Sequence, residues 1–222
     1  QRWAGLAASL VTLALALVAW SRFDPANPAF QFVELRAWLP TVGIAYRLGM
    51  DGVSLLLVLL TAFLQPLVFI SSWKPIQARV KGYVVSMLLL ETGILGAFLA
   101  TDLFLFYVFW ALMLLPMYFI IGVWGGDRRI YAAVKFVLFT LAGSLLMLVG
   151  IIYLSTLQHA KTGTWSFNYA DMVGLSIPMG EGFWHSPQML LFAAFALAFA
   201  IKVPVFPLHT WLPDAHTEAP TG

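Results

Sequence analysis

The chain has 222 residues, 61% of them hydrophobic and only 10% charged, and its mean hydropathy is +0.89. A sequence this apolar could not cover a water-facing surface, which excludes a soluble enzyme, a disordered tail and a coiled coil. The net charge of +2 comes from scattered residues and carries no nucleic-acid signature, and the lack of cysteine excludes disulfide frameworks, thiolate metal sites and a cysteine nucleophile. The expected class is all-α, a polytopic membrane helix bundle forming a single transmembrane domain over 1–222.

A bilayer core about 30 Å thick needs roughly 20 apolar residues of helix per crossing. Six stretches qualify in chain order: 3–20, 50–70, 83–100, 103–124, 131–154 and 188–208. The first is not read as a cleaved leader, because Val18-Ala19-Trp20 is a poor cleavage site. The polar intervals 21–49 and 155–187 are rich in Pro, Gly, Asn and aromatics and read as loops. Thr101–Asp102 reads as the short turn of an antiparallel helical hairpin. Both chain ends are expected to be cuts in a longer protein.

Loop charge sets the expected orientation. Arg2, Lys74, Arg79, Lys81, Arg128 and Arg129 fall on one side, in short segments. Arg22, Arg36, Arg47 and Lys161 fall on the other. The N-terminus is therefore expected on the cytoplasmic side.

Charges inside spans are costly and mark function by default. Glu91 sits near the middle of the third span, Lys135 in the first turns of the fifth, and Lys202 deep in the last, while Asp102 opens the fourth. Each has a plainer reading to set beside proton handling. Lys135 is close enough to its helix end to snorkel, Asp102 could cap its helix, and Glu91 could hydrogen-bond between helices. Lys202 is the hardest to explain structurally. It precedes Pro204 and Pro207, which should strip the Ala200 and Val203 carbonyls of their helical donors. Freed carbonyls at membrane depth are tolerated only against protein or a wet cavity, and a broken helix bearing a charge is how transporters build ion sites. An amine in such a place can both take up and release a proton, with a nearby carboxylate favouring its charged state. His209 would share its helix face if helical phase survived the prolines, and could exchange protons with water. No metal-ligand cluster is expected.

Three motifs then carry a resemblance. Met50-Asp51-Gly52-Val53-Ser54-Leu55 opens a helix; Asp102-Leu103-Phe104-Leu105-Phe106-Tyr107-Val108-Phe109-Trp110 precedes Met113-Leu114-Leu115-Pro116-Met117-Tyr118-Phe119; and Lys202-Val203-Pro204 runs through Pro207-Leu208-His209-Thr210-Trp211-Leu212-Pro213-Asp214-Ala215-His216 to Glu218-Ala219-Pro220-Thr221-Gly222. Along nearly its whole length the chain resembles the family of antiporter-like M subunits (chain 4) of respiratory complex I, the proton-pumping NADH:quinone oxidoreductase. The resemblance implies the first inverted repeat of an antiporter-like fold within a subunit of about fourteen helices, the present first span being the family's second. It implies that Lys202 is the family's broken-helix lysine and His209 the histidine that follows it. It also implies a multi-pass protein of the bacterial inner membrane, partnered by other membrane-arm subunits of complex I and the lipid bilayer, with no redox cofactor in this chain.

One position departs from the family. Its members carry a glutamate after the aromatic pair, where this chain has Ala111, so the proposed counter-charge to Lys202 is missing. The implied proton pathway comprises Lys202, His209, Lys135, Glu91 and Asp102. Two other functions stay open: an Mrp-type cation/proton antiporter subunit, or a membrane-arm scaffold whose pumping Ala111 impairs.

Overall fold

The structure is a computed structural model that describes residues 1–180 and 182–221, so Gly222 of the last motif lies outside the described residues. Among the described residues, five helices are long and apolar enough to cross a membrane: Arg2–Arg22 (α1), Gly52–Ser71 (α2), Val80–Leu99 (α3), the pair Leu103–Leu112 and Leu114–Trp124 (α4 and α5), and Arg129–Thr162 (α6). A short helix, Tyr169–Val173 (α7), precedes Pro187–Lys202 (α8) and Trp211–Glu218 (α9). The expected sixth span, 188–208, is thus shorter in helix: it ends at Lys202, just before the first proline. The fifth, expected over 131–154, runs on to Thr162, because nothing in Ser155–Thr162 breaks a helix until Gly163 closes it in the left-handed conformation.

The interval 21–49 is more than a loop. Gln31–Leu39 (β1) and Ile44–Met50 (β2) pair antiparallel, with Leu35 opposite Arg47 and Ala37 opposite Ala45. Between them Gly43 takes a φ of +74°, and a Cβ there would run into the Trp165 carbonyl. Only glycine serves both needs. The hairpin rests on the end of the bundle where α3 meets α4, through the Thr101 N–H donated to the Arg47 carbonyl at 3.0 Å.

Local sequence explains the helix boundaries. Asp51 accepts the Ser54 N–H at 2.7 Å while the Ser54 hydroxyl accepts the Asp51 N–H, a reciprocal cap that starts α2 and holds the Asp51 carboxyl below the usual carboxylate range. The α4–α5 interruption at Met113 follows from Pro116, which has no N–H for the Leu112 carbonyl.

Small residues set how closely the helices pack, as in membrane bundles generally. Gly5 of α1 lies against Val84 and Phe69. Gly93 and Gly96 turn one face of α3 onto Met113 and Phe109. Gly143 and Gly150 of α6 receive Ile201 and Phe195 of α8. The buried core falls into clusters around α6: Phe136 and Ala133 with Trp211 and Ala215 at one level, Met147 and Ile151 with Ala198 at another. Large apolar side chains such as Leu56, Leu60, Phe63 and Leu138 are exposed, as lipid-facing residues should be.

The two ends are chemically distinct. Arg2 donates to the Ile76 carbonyl and to Gln77, and Trp124 donates to the Ala78 carbonyl, so residues 2, 74–81 and 124–129 gather at one end with their six basic side chains. The six residues expected to lie on one side thus share one end of the bundle. The hairpin occupies the outer end.

A Cβ on Gly96 would overlap the Phe109 ring. Gly96→Val should therefore cost about 1–3 kcal/mol through overpacking, read as a lower thermal unfolding midpoint of the full-length protein in detergent. Gly52→Ala, where nothing lies within 4 Å, should leave the midpoint unchanged; equal losses would mean the α3–α4 contact does not set the packing.

Candidate functional site

Lys202 is the last residue of α8. Its depth follows from α6, because Ile201 packs on Gly143. Gly143 lies fourteen residues beyond Arg129, which is about 21 Å along a helix of 1.5 Å rise. With Arg129 taken as the start of a hydrocarbon core of about 30 Å, that level is roughly two thirds of the way across it. The ammonium lies 5.1 Å from the centre of the Trp110 ring on α4, a cation–π contact. Phe199, one turn earlier on α8, meets the same indole edge-on at 5.7 Å. Among the described residues no carboxylate is within ion-pair distance of Lys202.

The backbone beyond Lys202 is rewired and not simply left open. Pro204 cannot donate to the Ala200 carbonyl, but Val205 N–H reaches it at 2.8 Å, one residue further on than in a helix. Ala200 thus loses its helical donor, as expected, but its carbonyl is not left free. The cost moves to Ile201, whose helical donor would have been that same Val205 N–H. Its carbonyl is instead met by the indole N–H of Trp211 at 2.8 Å, in a buried contact. Trp211 opens α9 and packs on Phe136 of α6 at 5.3 Å, so one side chain closes the break and seats the second half of the helix.

His209 lies in the turns between α8 and α9. Helical phase does not survive the prolines, so it is not on the Lys202 face by periodicity, and that expectation is corrected. Its ring lies tilted against Phe206 with centroids 5.6 Å apart, and its buried Nδ1 has no hydrogen-bond partner.

Lys135 does not snorkel freely. Its ammonium meets the Asp214 carboxylate of α9 at 2.7 Å, both side chains about a quarter exposed, and lies 5.6 Å from the Tyr131 ring. Six residues from Arg129, the pair sits about 9 Å along α6, between Lys202 and the basic end. Glu218 completes the attachment of α9. Its carboxylate accepts the Arg128 N–H at 2.9 Å and its carbonyl accepts the Gly126 N–H at 2.9 Å. Asp214 and Glu218 were not readable as partners from sequence, because residues 79 and 90 positions away supply their contacts. The only available signal is that Trp211, Asp214 and Glu218 recur at helical spacing on one face.

Glu91 and Asp102 stand apart from this column. Glu91 is two residues from Gly93, on the far side of α3 from the glycine stripe that meets α4. Its neighbours one turn away, Met87 and Leu95, pack with Phe69 of α2 and with Ala16 and Ala62 of α1 and α2. The carboxyl is 3% exposed and its Oε1 has no partner, while Gln65 of α2 donates to the Met87 carbonyl nearby at 3.1 Å. Asp102 lies at the outer end. It accepts the Phe104 and Leu105 N–H groups that begin α4, at 2.9 and 3.0 Å, and the Ala45 N–H of β2 at 3.2 Å. Burial pushes its carboxyl above the usual range, opposed by those three amides and the Arg47 charge.

Ala111 follows Trp110. Its neighbours in helical phase, Tyr107 and Leu114, pack in the clusters around α8 and around Trp211 respectively. It thus lies on the face of α4 turned toward the broken helix, with no charge to offer.

The sequence model of the family described as NADH:quinone oxidoreductase/Mrp antiporter, transmembrane, matches residues 100–222. The NADH-quinone oxidoreductase subunit M of Rhodobacter capsulatus is 46% identical over 228 residues, which is the whole of this chain and 43% of that protein. The chain thus spans less than half the length of that relative. A chain of respiratory complex I from Thermus thermophilus with bound NADH superposes with a TM-score of 0.80 at 34% identity, over 99% of this chain and 43% of that one. A chain of the Mrp complex from Dietzia sp. DQ12-45-1b superposes at 0.77 with 26% identity, over 98% of this chain and 23% of that one. With its apolar spans and bacterial relatives, the chain is a multi-pass protein of the bacterial plasma membrane.

Trp211→Phe keeps a ring against Phe136 but leaves the Ile201 carbonyl bare in a buried place. It should cost about 1–3 kcal/mol, measured as a lower unfolding midpoint of the full-length protein. An unchanged midpoint would mean that another donor serves that carbonyl.

Proposed function

We infer, since this chain belongs to the NADH:quinone oxidoreductase/Mrp antiporter membrane family, that it is the first half of a proton-translocating membrane-arm subunit of NADH:quinone oxidoreductase. The observation that carries the reading is the Lys202 ammonium at the end of a proline-interrupted membrane helix, set against the Trp110 ring. Redox chemistry then belongs to partner subunits, and this chain holds, moves and releases protons.

The residues divide the work. Lys202 takes and gives the proton, its charge tolerated by the Trp110 face. His209, whose buried Nδ1 has no hydrogen-bond partner, stands in the turns beyond as the next acceptor. Lys135 and Asp214 carry the column toward the basic end. Removing a proton from that pair leaves a carboxylate without its counter-charge, so the pair responds electrostatically to charge arriving at Lys202. Glu91 is a separate buried proton site between α1, α2 and α3. Asp102 positions the outer end by capping α4 and fastening the hairpin.

A second reading is supported by Ala111, which leaves Lys202 without a counter-charge from α4: the chain assembles the arm but couples electron transfer to pumping weakly. One experiment separates the two. In the assembled complex, Lys202→Ala should leave NADH oxidation measurable while at least halving the protons moved per electron pair. Ala111→Glu should raise that stoichiometry. If neither substitution changes it, the scaffold reading holds and the pump reading fails. Cation-dependent pH change in vesicles holding only the full-length protein would instead indicate an Mrp-type antiporter.

A further inference from the structure

At the basic end, two cavities meet between α3 and α5. The upper one, about 280 Å³, is framed by Arg79 and Arg129 with Ala78 and Gly122. The lower one, about 440 Å³, runs down the lipid-facing side along Val85 and Leu89 of α3 and Leu115 and Phe119 of α5. They share Arg79, Val123 and Trp124, so a charged mouth opens directly onto an apolar groove. Each falls near or within the size of a ligand cleft, roughly 300–1,000 Å³.

The shared wall is fixed. The Trp124 indole donates to the Ala78 carbonyl at 2.8 Å and meets Tyr83 edge-on at 5.4 Å. Gly82 lets the indole lie flat on α3, since a Cβ there would sit 3.3 Å from the ring. Val85, Leu115 and Phe119 along the groove are all exposed.

The charges at the mouth are uncompensated. Among the described residues, no carboxylate pairs with Arg79 or Arg129. Arg129 makes only a long contact to the Gly125 carbonyl, at 3.5 Å. Of the acids in the adjoining turn, Glu218 accepts the Arg128 N–H, and among the described residues Asp127 forms no ion pair. Two free guanidiniums over an apolar slot, on the side where loop charge places the anionic leaflet, suit an anionic amphiphile. A partner's apolar helix would fill the slot but strand both guanidiniums, and a soluble anion would satisfy them but leave the slot bare.

We propose that this composite cavity is a binding site for an anionic phospholipid, its phosphate held between Arg79 and Arg129 and one acyl chain lying along the α3–α5 groove. The site is independent of the Lys202 column. The lipid would brace α3 against α5 and the start of α6.

The full-length protein, reconstituted in phosphatidylcholine vesicles with spin-labelled phosphatidylglycerol, provides the test. Preference for the labelled lipid over labelled phosphatidylcholine should fall about fivefold for each of Arg79→Gln and Arg129→Gln. Val85→Trp, which fills the groove and keeps both charges, should abolish the same preference and stays informative if the arginine variants fail to fold. Lys74→Gln with Lys81→Gln, outside the cavity, should leave it in place. The proposal is overturned by an unchanged preference in the arginine variants, by an equal loss in the lysine control, or by full displacement of the label with inorganic phosphate. Cross-linking of the groove to a neighbouring protein chain in place of lipid would overturn it as well.

Discussion

In hydrocarbon, a backbone carbonyl that loses its donor finds no water to replace it, and the penalty is several times that of the same loss in solution. The stretch after Lys202 has two prolines within four residues and therefore faces that penalty directly. It is met by displacing one amide and recruiting one indole. Val205 N–H slips back to Ala200, and Trp211 covers the Ile201 carbonyl thus exposed. Because the indole comes from the far side of the break, satisfying the backbone also fixes where α9 lies. Everything else at this end follows: Asp214 faces Lys135, and Glu218 reaches the turn that starts α6.

The same constraint explains why charge concentrates here. The break ends the helix at the lysine, and the neighbouring helix supplies an aromatic face. The polar groups then form a descending series, from Lys202 through the turn holding His209 to Lys135 and Asp214, each supported by a different element. Glu91 lies on the opposite side of α3, so burial alone does not make a residue part of this series.

Much of the fold was legible because membrane burial leaves long, uniform marks. The spans are visible as apolar runs, and the turn at Thr101–Asp102 as an interruption too short for anything but a hairpin. The helix break is visible in the prolines. What was hidden depended on topology. The pairing of Lys135 with Asp214 spans 79 residues, and no local pattern announces it. The hairpin carried a signal, since Val33, Leu35, Ala37 and Leu39 alternate with Glu34 and Arg36. Flanking prolines and glycines made the same stretch read as loop. The reach of α6 was underestimated because its last two turns are polar, and hydropathy registers membrane content, not helix length.

That reach has a mechanical meaning. A helix of 34 residues is about 51 Å long, roughly 20 Å more than the hydrocarbon core it crosses. Its far tip is engaged beyond the bilayer: Ser155 donates to the Ser166 carbonyl, and His159 stacks flat on Trp165, whose own carbonyl abuts the Gly43 turn of the hairpin. Its near tip holds α9. This 34-residue rod therefore touches the hairpin's surroundings at one end and the interrupted helix at the other. Any tilt imposed at its outer handle must be felt, lengthwise, at the seat of the ion pair.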